Sequence, residues 1–162
     1  IAPMIDLQRA SLALINNVID KQASTPTTGF NVPLNFVSET SNEGGSAASK
    51  HLTRVITLGS ESVGLKILLD ANRPSAADFE VYIRTADADE VIADKIFTLL
   101  TQENTIPSDE NPNIFRQYTY LHGGLGGDAT PFLKYQIKIV FRSTNQAKPP
   151  VFRSLRAIAL SV

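Results

Sequence analysis

The stretch Phe132-Leu133-Lys134-Tyr135-Gln136-Ile137-Lys138-Ile139-Val140-Phe141-Arg142 decides the fold class. Side chains on an extended strand alternate between two faces with a period of two residues. Leu133, Tyr135, Ile137, Ile139 and Phe141 therefore share one face, and Lys134, Gln136, Lys138 and Arg142 the other. That pattern predicts a strand with a core face and a solvated face. Working outward, residues 78–84 repeat it, with Phe79, Val81 and Ile83 opposed to Glu80, Tyr82 and Arg84, and residues 63–70 put Leu65, Ile67 and Leu69 together. Further short apolar runs lie at 51–58, 96–101, 114–121 and 151–162. In the last, Ile158, Leu160 and Val162 oppose Leu155, Ala157 and Ala159, so both faces are apolar and both are expected to be covered.

The connections carry turn chemistry: Ala71-Asn72-Arg73-Pro74-Ser75, Pro107 to Asn113, Gly123 to Asp128, and Ser143-Thr144-Asn145 through Pro149-Pro150. No long helical period follows residue 50, although Asp87 to Asp94 has room for one helical turn. Parallel sheets need crossover helices, which this spacing does not supply. The expected fold is all-β: an antiparallel β-sandwich, jelly-roll-like, over residues 46–162.

Residues 1–45 read differently, as an N-terminal arm and linker. Leu7, Ala10, Leu14, Ile15 and Val18 fit helical spacing, yet Leu12, Leu14, Ile15, Val18 and Ile19 also suit an extended strand. Residues 22–29 are a polar spacer, residues 30–37 (FNVPLNFV) are extended but interrupted by Pro33, and residues 38–49 are small and polar. Burying an apolar arm against a neighbour contributes about 1.5–3 kcal/mol for each large side chain. Leu12, Leu14, Ile15, Val18, Ile19, Phe30 and Phe36 are thus the candidate assembly contacts.

Composition narrows the function classes. The chain has 162 residues, 15 basic against 16 acidic, and a net charge of -1, so it has no broad field for nucleic acid or anionic lipid. It lacks cysteine, which excludes disulfides, thiolate nucleophiles and zinc–thiolate sites. No run of 18 apolar residues predicts a membrane span. The chain opens at Ile1 without a signal-like segment and reads as part of a longer polypeptide.

No local motif amounts to a catalytic, cofactor or metal site. His122-Gly123-Gly124-Leu125-Gly126-Gly127-Asp128 matches one unit of a calcium-binding nonapeptide repeat, but such sites form between stacked units. It also hints at an esterase oxyanion loop, yet no G-x-S-x-G elbow exists in the chain. Gly59-Ser60-Glu61-Ser62-Val63-Gly64-Leu65-Lys66 approaches a phosphate loop, but Leu65 stands where Lys is needed and a strand follows, so a hairpin turn is expected. Asp87, Asp89, Glu90 and Asp94 read as a solvated acidic loop lacking the glycine and closing Glu of an EF-hand. His51 and His122 have no carboxylate at an informative spacing. The row Lys134, Lys138 and Arg142, with Arg84 and Arg153, is a solvated face or a contact for an acidic partner.

Several segments taken in order carry a resemblance. Ser49-Lys50-His51-Leu52-Thr53-Arg54 is followed by Ala71-Asn72-Arg73-Pro74-Ser75 leading into Phe79-Glu80-Val81-Tyr82-Ile83-Arg84-Thr85. Next come Asn113 to Tyr120, Tyr135 to Val140, Ser143-Thr144-Asn145 and Phe152 to Leu160. Over residues 46–162 the chain resembles virion structural proteins of large contractile-tailed bacteriophages, particularly baseplate and tail proteins of phages of marine bacteria. It departs from them at Ile96-Phe97, where an acidic residue and Trp are expected, and at the doubled Pro149-Pro150. The resemblance implies a non-enzymatic building block of the virion, assembled in the host cytoplasm. Its implied partners are other tail or baseplate proteins, or copies of itself, with no cofactor. Two rivals are weighed beside it. One is a carbohydrate-binding module using an exposed pair among Tyr82, Tyr118, Tyr120 and Tyr135. The other is a hydrolase in which the Asp87–Asp94 loop meets His122 in a deep cleft.

Overall fold

A computed structural model describes residues 37–47, 49–123 and 129–161. Seven strands follow one another: β1 (Lys50–Leu52), β2 (Ile56–Asn72), β3 (Ala77–Ala86), β4 (Thr98–Leu99), β5 (Arg116–His122), β6 (Phe132–Ser143) and β7 (Val151–Ser161). A single 3-10 turn at Ile92–Asp94 sits in the acidic loop, and no α-helix occurs among the described residues. Every pairing between these strands is antiparallel, and the sheet curls into a half-barrel. The all-β antiparallel class expected from the alternation is the one observed.

The curl comes from β2, which serves two neighbourhoods in turn. Its first residues, Ile56 and Thr57, pair with Tyr135 and Lys134 of β6. From Leu65 to Ala71 it lies between β5 and β7. Ser62 is the crossover point: it pairs with both Phe132 and Ser161, and its hydroxyl donates to the Leu160 carbonyl at 2.6 Å and the Gly64 carbonyl at 2.8 Å. The expected hairpin turn at Gly59–Lys66 is therefore a correction. Small polar residues there let the strand bend with a register shift between Thr57 and Ser62, and the chain stays extended.

The concave side holds the core. Leu65, Ile67, Leu69 and Ala71 of β2 face Phe79, Val81 and Ile83 of β3, Tyr118 and Tyr120 of β5, and Phe132, Tyr135, Ile137 and Ile139 of β6. Phe79 stands edge-on to Tyr118 and to Phe152, each with ring centroids 4.9 Å apart, a preferred aromatic geometry. Phe132, and not Leu133, fills the start of this face, next to the register shift between β2 and β6. Asn72 ties the core to the loop after β4: its amide nitrogen lies within hydrogen-bond distance of the carbonyls of Asp109, Asn111 and Ile114, at 3.2, 2.8 and 2.9 Å.

Candidate assembly surface

The convex face of β3 and β6 is not the wet surface that its composition suggests. Lys138 is fully buried and Gln136 nearly so. Residues 37–47 lie across them as a clasp, although this segment reads as part of a small, polar linker. The Glu39 carboxylate takes the Lys138 ammonium at 2.9 Å and the Ala47 amide at 2.6 Å. Lys138 also donates to the Glu39 carbonyl at 2.5 Å and to the Gly44 carbonyl at 3.0 Å. Its ammonium lies 4.4 Å from the Phe97 ring centroid and 4.8 Å from that of Tyr82. Burial pulls this ammonium below the ordinary lysine range, and the Glu39 carboxylate opposes the shift. Gly44 and Gly45 have φ of 94° and 78°, and a Cβ on Gly45 would run into the Glu39 carboxylate. The glycines therefore let the clasp fold tightly enough to seat its acid.

Around this centre the other convex cations also find partners within the chain. Arg142 meets Glu80 at 2.5 Å, and Glu80 accepts the Tyr82 hydroxyl at 2.6 Å. Burial and that hydrogen bond push the Tyr82 hydroxyl well above its ordinary range. Arg84 grips the Gln136 side-chain oxygen through two nitrogens at 2.9 and 2.7 Å and stacks 4.5 Å from the Phe97 ring. Lys134 caps the acidic loop through the carbonyls of Ala88 and Glu90. The acidic contact for this row is Glu39 and Glu80 of the same chain.

The opposite end of the sheet is less complete. Strand β7 pairs with β2 along one edge, and no other strand among the described residues takes its second edge. No residue of β7 from Val151 to Leu160 is buried; Ile158 is 50% exposed and Val151 41%. Phe152, Leu155, Ala157 and Ala159 pack partly on the core, while Arg156, Ile158 and Leu160 lie on the convex side. The expected cover on both faces of this strand is thus corrected to a single partial cover by the described chain. Between β7 and the short β1 a groove of about 480 Å³ opens over Leu69, Ile139, Phe141, Phe152 and Leu155, rimmed by Lys50, His51, Arg153 and Ser154.

The remaining candidates separate. Leu12, Leu14, Ile15, Val18, Ile19, Phe30 and Phe36 lie outside the described residues. All four tyrosines, Tyr82, Tyr118, Tyr120 and Tyr135, are buried, so none forms a sugar-stacking platform. His122 packs against Phe132 with centroids 5.8 Å apart, and burial lowers its pKa. Among the described residues it has no hydrogen bond to a carboxylate, and no group of three or more His, Asp or Glu is placed to hold a metal ion. Gly123 makes the turn expected of it, with φ of 83° and the Val63 carbonyl 2.5 Å from where a Cβ would stand; residues 124–128 lie outside the described residues. Sequence reasoning missed the clasp because its hold comes from one carboxylate and several backbone carbonyls. The Gly44-Gly45 pair, whose first amide closes a turn onto the Ser41 carbonyl, is its single legible sign. Compared with family models, curated proteins and solved structures, the chain matches none.

Proposed function

We propose that this chain is a non-enzymatic structural component of a contractile phage tail, at or near the baseplate, that works through protein–protein contacts. The observation that carries the reading is β7: an eleven-residue strand, with apolar residues on both faces from Leu155 to Leu160 and one unpaired edge among the described residues. Exposed strand edges of this kind are a liability in a solitary protein and a resource in an assembly. The resemblance of its segment order to tail and baseplate proteins points the same way. In it the apolar run Leu12, Leu14, Ile15, Val18 and Ile19 reaches a neighbouring subunit, either a copy or another tail protein. The half-barrel is then one view of a jelly-roll-like sandwich, with a β4–β3–β6 layer facing a β5–β2–β7 layer.

Electron microscopy of tailed particles tests this directly. Density for the half-barrel at repeated positions in the tail is the expected result. The full chain carrying Leu14→Asp and Ile15→Asp should stay folded and fail to enter particles. A chain absent from any particle, or a double variant that incorporates normally, contradicts the proposal. The glycan-binding reading has lost the exposed tyrosine pair on which it depended and is not carried further.

A further inference from the structure

Two exposed patches of the molecule set apolar side chains among charges of opposite sign. The first is the groove between β1 and β7. Its floor is apolar, with Phe141, Phe152 and Leu155 only half-buried there, and its rim carries Lys50, His51 and Arg153. No carboxylate lines it. Lys50 is held by the backbone carbonyls of Gly44 and Gly45 at 2.8 and 2.7 Å, and the Arg153 guanidinium lies 4.5 Å from the Phe115 ring centroid. Among the described residues neither cation has an ion-pair partner.

The second patch is the loop between β3 and β4. Val91 and Ile96 are 61% and 67% exposed there, more than any other large apolar side chain among the described residues. They stand among Asp87, Asp89, Glu90 and Asp94. Lys95 pairs with Glu90, which leaves Asp87, Asp89 and Asp94 exposed and without a cationic partner among the described residues. The 3-10 turn at Ile92–Asp94 shapes the loop, and the Lys134 ammonium anchors it by donating to the carbonyls of Ala88 and Glu90 at 2.7 and 3.1 Å. That anchor sets the loop at the start of β6, whereas the groove lies over Ile139 and Phe141 near its end. Seven residues of strand from Lys134 to Phe141 span about 23 Å. The loop therefore does not reach the groove of its own molecule, and only a second copy brings the two patches together.

We infer that the loop of residues 87–96 in one copy docks in the β1–β7 groove of the next, with Val91 and Ile96 on the apolar floor and the loop carboxylates against Lys50 and Arg153. Opposite charge selects the partner and sets its orientation, while apolar burial supplies the hold. Because the two patches differ, the contact is head-to-tail: each pair keeps a free groove at one end and a free loop at the other. Such contacts close into a ring where the rotation allows and extend as a filament where it does not. The groove takes only Phe152 to Leu155 of β7, so the unpaired edge from Arg156 onward stays open to a further neighbour. The inference names one partner within the proposed function and rests on that reading for its purpose, but the contact itself needs no other tail protein.

Sedimentation velocity of the purified full chain tests this, and species beyond the dimer should grow with concentration. His51→Glu with Arg153→Glu makes the groove rim acidic and keeps the loop; Val91→Ser with Ile96→Ser removes the apolar anchors of the loop and keeps the groove. All four side chains are exposed, so the melting midpoint should not move. Each variant alone should be monomeric. Mixed, the two should form a complex that stops at one-to-one, because one intact loop meets one intact groove. Adding Asp89→Lys and Asp94→Lys to the groove variant should restore self-association by exchanging the two signs. An intact chain that stays monomeric at about 1 mM, association that persists in either variant, or a mixture that does not pair overturns the inference. Any of these leaves the tail reading standing, since electron microscopy of particles decides that separately; particles without the chain would contradict the tail reading and leave this contact untouched.

Discussion

On the concave face of β6, Tyr135, Ile137 and Ile139 are enclosed by apolar side chains from β2, β3 and β5. On the convex face, Gln136 and Lys138 are enclosed to the same degree, by a clasp of small polar residues and by Phe97. The two faces reach equal burial by different means, the convex one adding a charge pair to a small apolar cluster of Tyr82, Phe97 and Val140. Concave burial is non-directional and tolerates some exchange of one aliphatic for another. Convex burial depends on a charge pair and a set of hydrogen bonds whose removal leaves an ion without water. The second is therefore the more brittle, and this difference orders the expected effects of mutation.

The largest effect should come from breaking the Lys138–Glu39 pair one partner at a time. Lys138→Ala or Glu39→Ala is expected to cost about 3–5 kcal/mol, because each leaves the other charge buried and alone. The joint change Lys138→Met with Glu39→Leu should recover much of that loss, and denaturant titration of it beside the wild type and the single changes Lys138→Met and Glu39→Leu gives the coupling. Truncation through residue 45 removes Glu39 together with the cover that keeps water from Lys138, so its cost is that of the lost clasp contacts; truncation through residue 36 keeps the pair and should be the milder cut.

Next in size is the concave face, where Ile139→Ala should cost about 2–5 kcal/mol, with Ile139→Val far better tolerated. The same denaturant midpoints report it. Gly45→Ala sharpens the comparison on the convex side. It deletes no contact, yet it forces an L residue into φ of 78° and directs a methyl at the Glu39 carboxylate. A loss of about 1–3 kcal/mol is expected, whereas Gly59→Ala, with open space around it, should be close to neutral.

The smallest expected effect is a pH slope from His122, whose pKa burial holds below its ordinary value. The unfolded chain takes up a proton near pH 6.5, and the folded imidazole does so only at lower pH. The unfolded state thus binds more protons in this window, and stability should rise with pH through it and fall on acidification. His122→Gln should flatten that part of the stability–pH curve. A slope of the same size in the variant would assign it to another group.

What was legible in the sequence follows the same division. Period-two alternation located β3 and β6 and grouped Leu65, Ile67 and Leu69, because apolar burial leaves a signal in composition. Alternation read Lys138 as solvated, because a hydrophobic pattern carries no record of a distant Glu39 that pairs with it. The bend at Ser62 was hidden for a related reason: glycine and serine mark a turn and a bulged strand alike. The uncovered side of β7 was half legible. Its two apolar faces announced that both need cover, and the described chain supplies only one of them. The candidate contacts in the arm came from composition alone.

Amide hydrogen exchange compares the two faces most directly. The Phe97 amide donates to the Thr40 carbonyl at 2.8 Å and the Ala47 amide to the Glu39 carboxylate, so both report on the clasp. If the convex face is sealed as part of the fold, both should exchange through global opening, with protection matching Val81 and Ile139 of the central strands. Exchange at Phe97 and Ala47 orders of magnitude faster, while Val81 and Ile139 stay protected, would contradict the account and return the clasp to a loose linker.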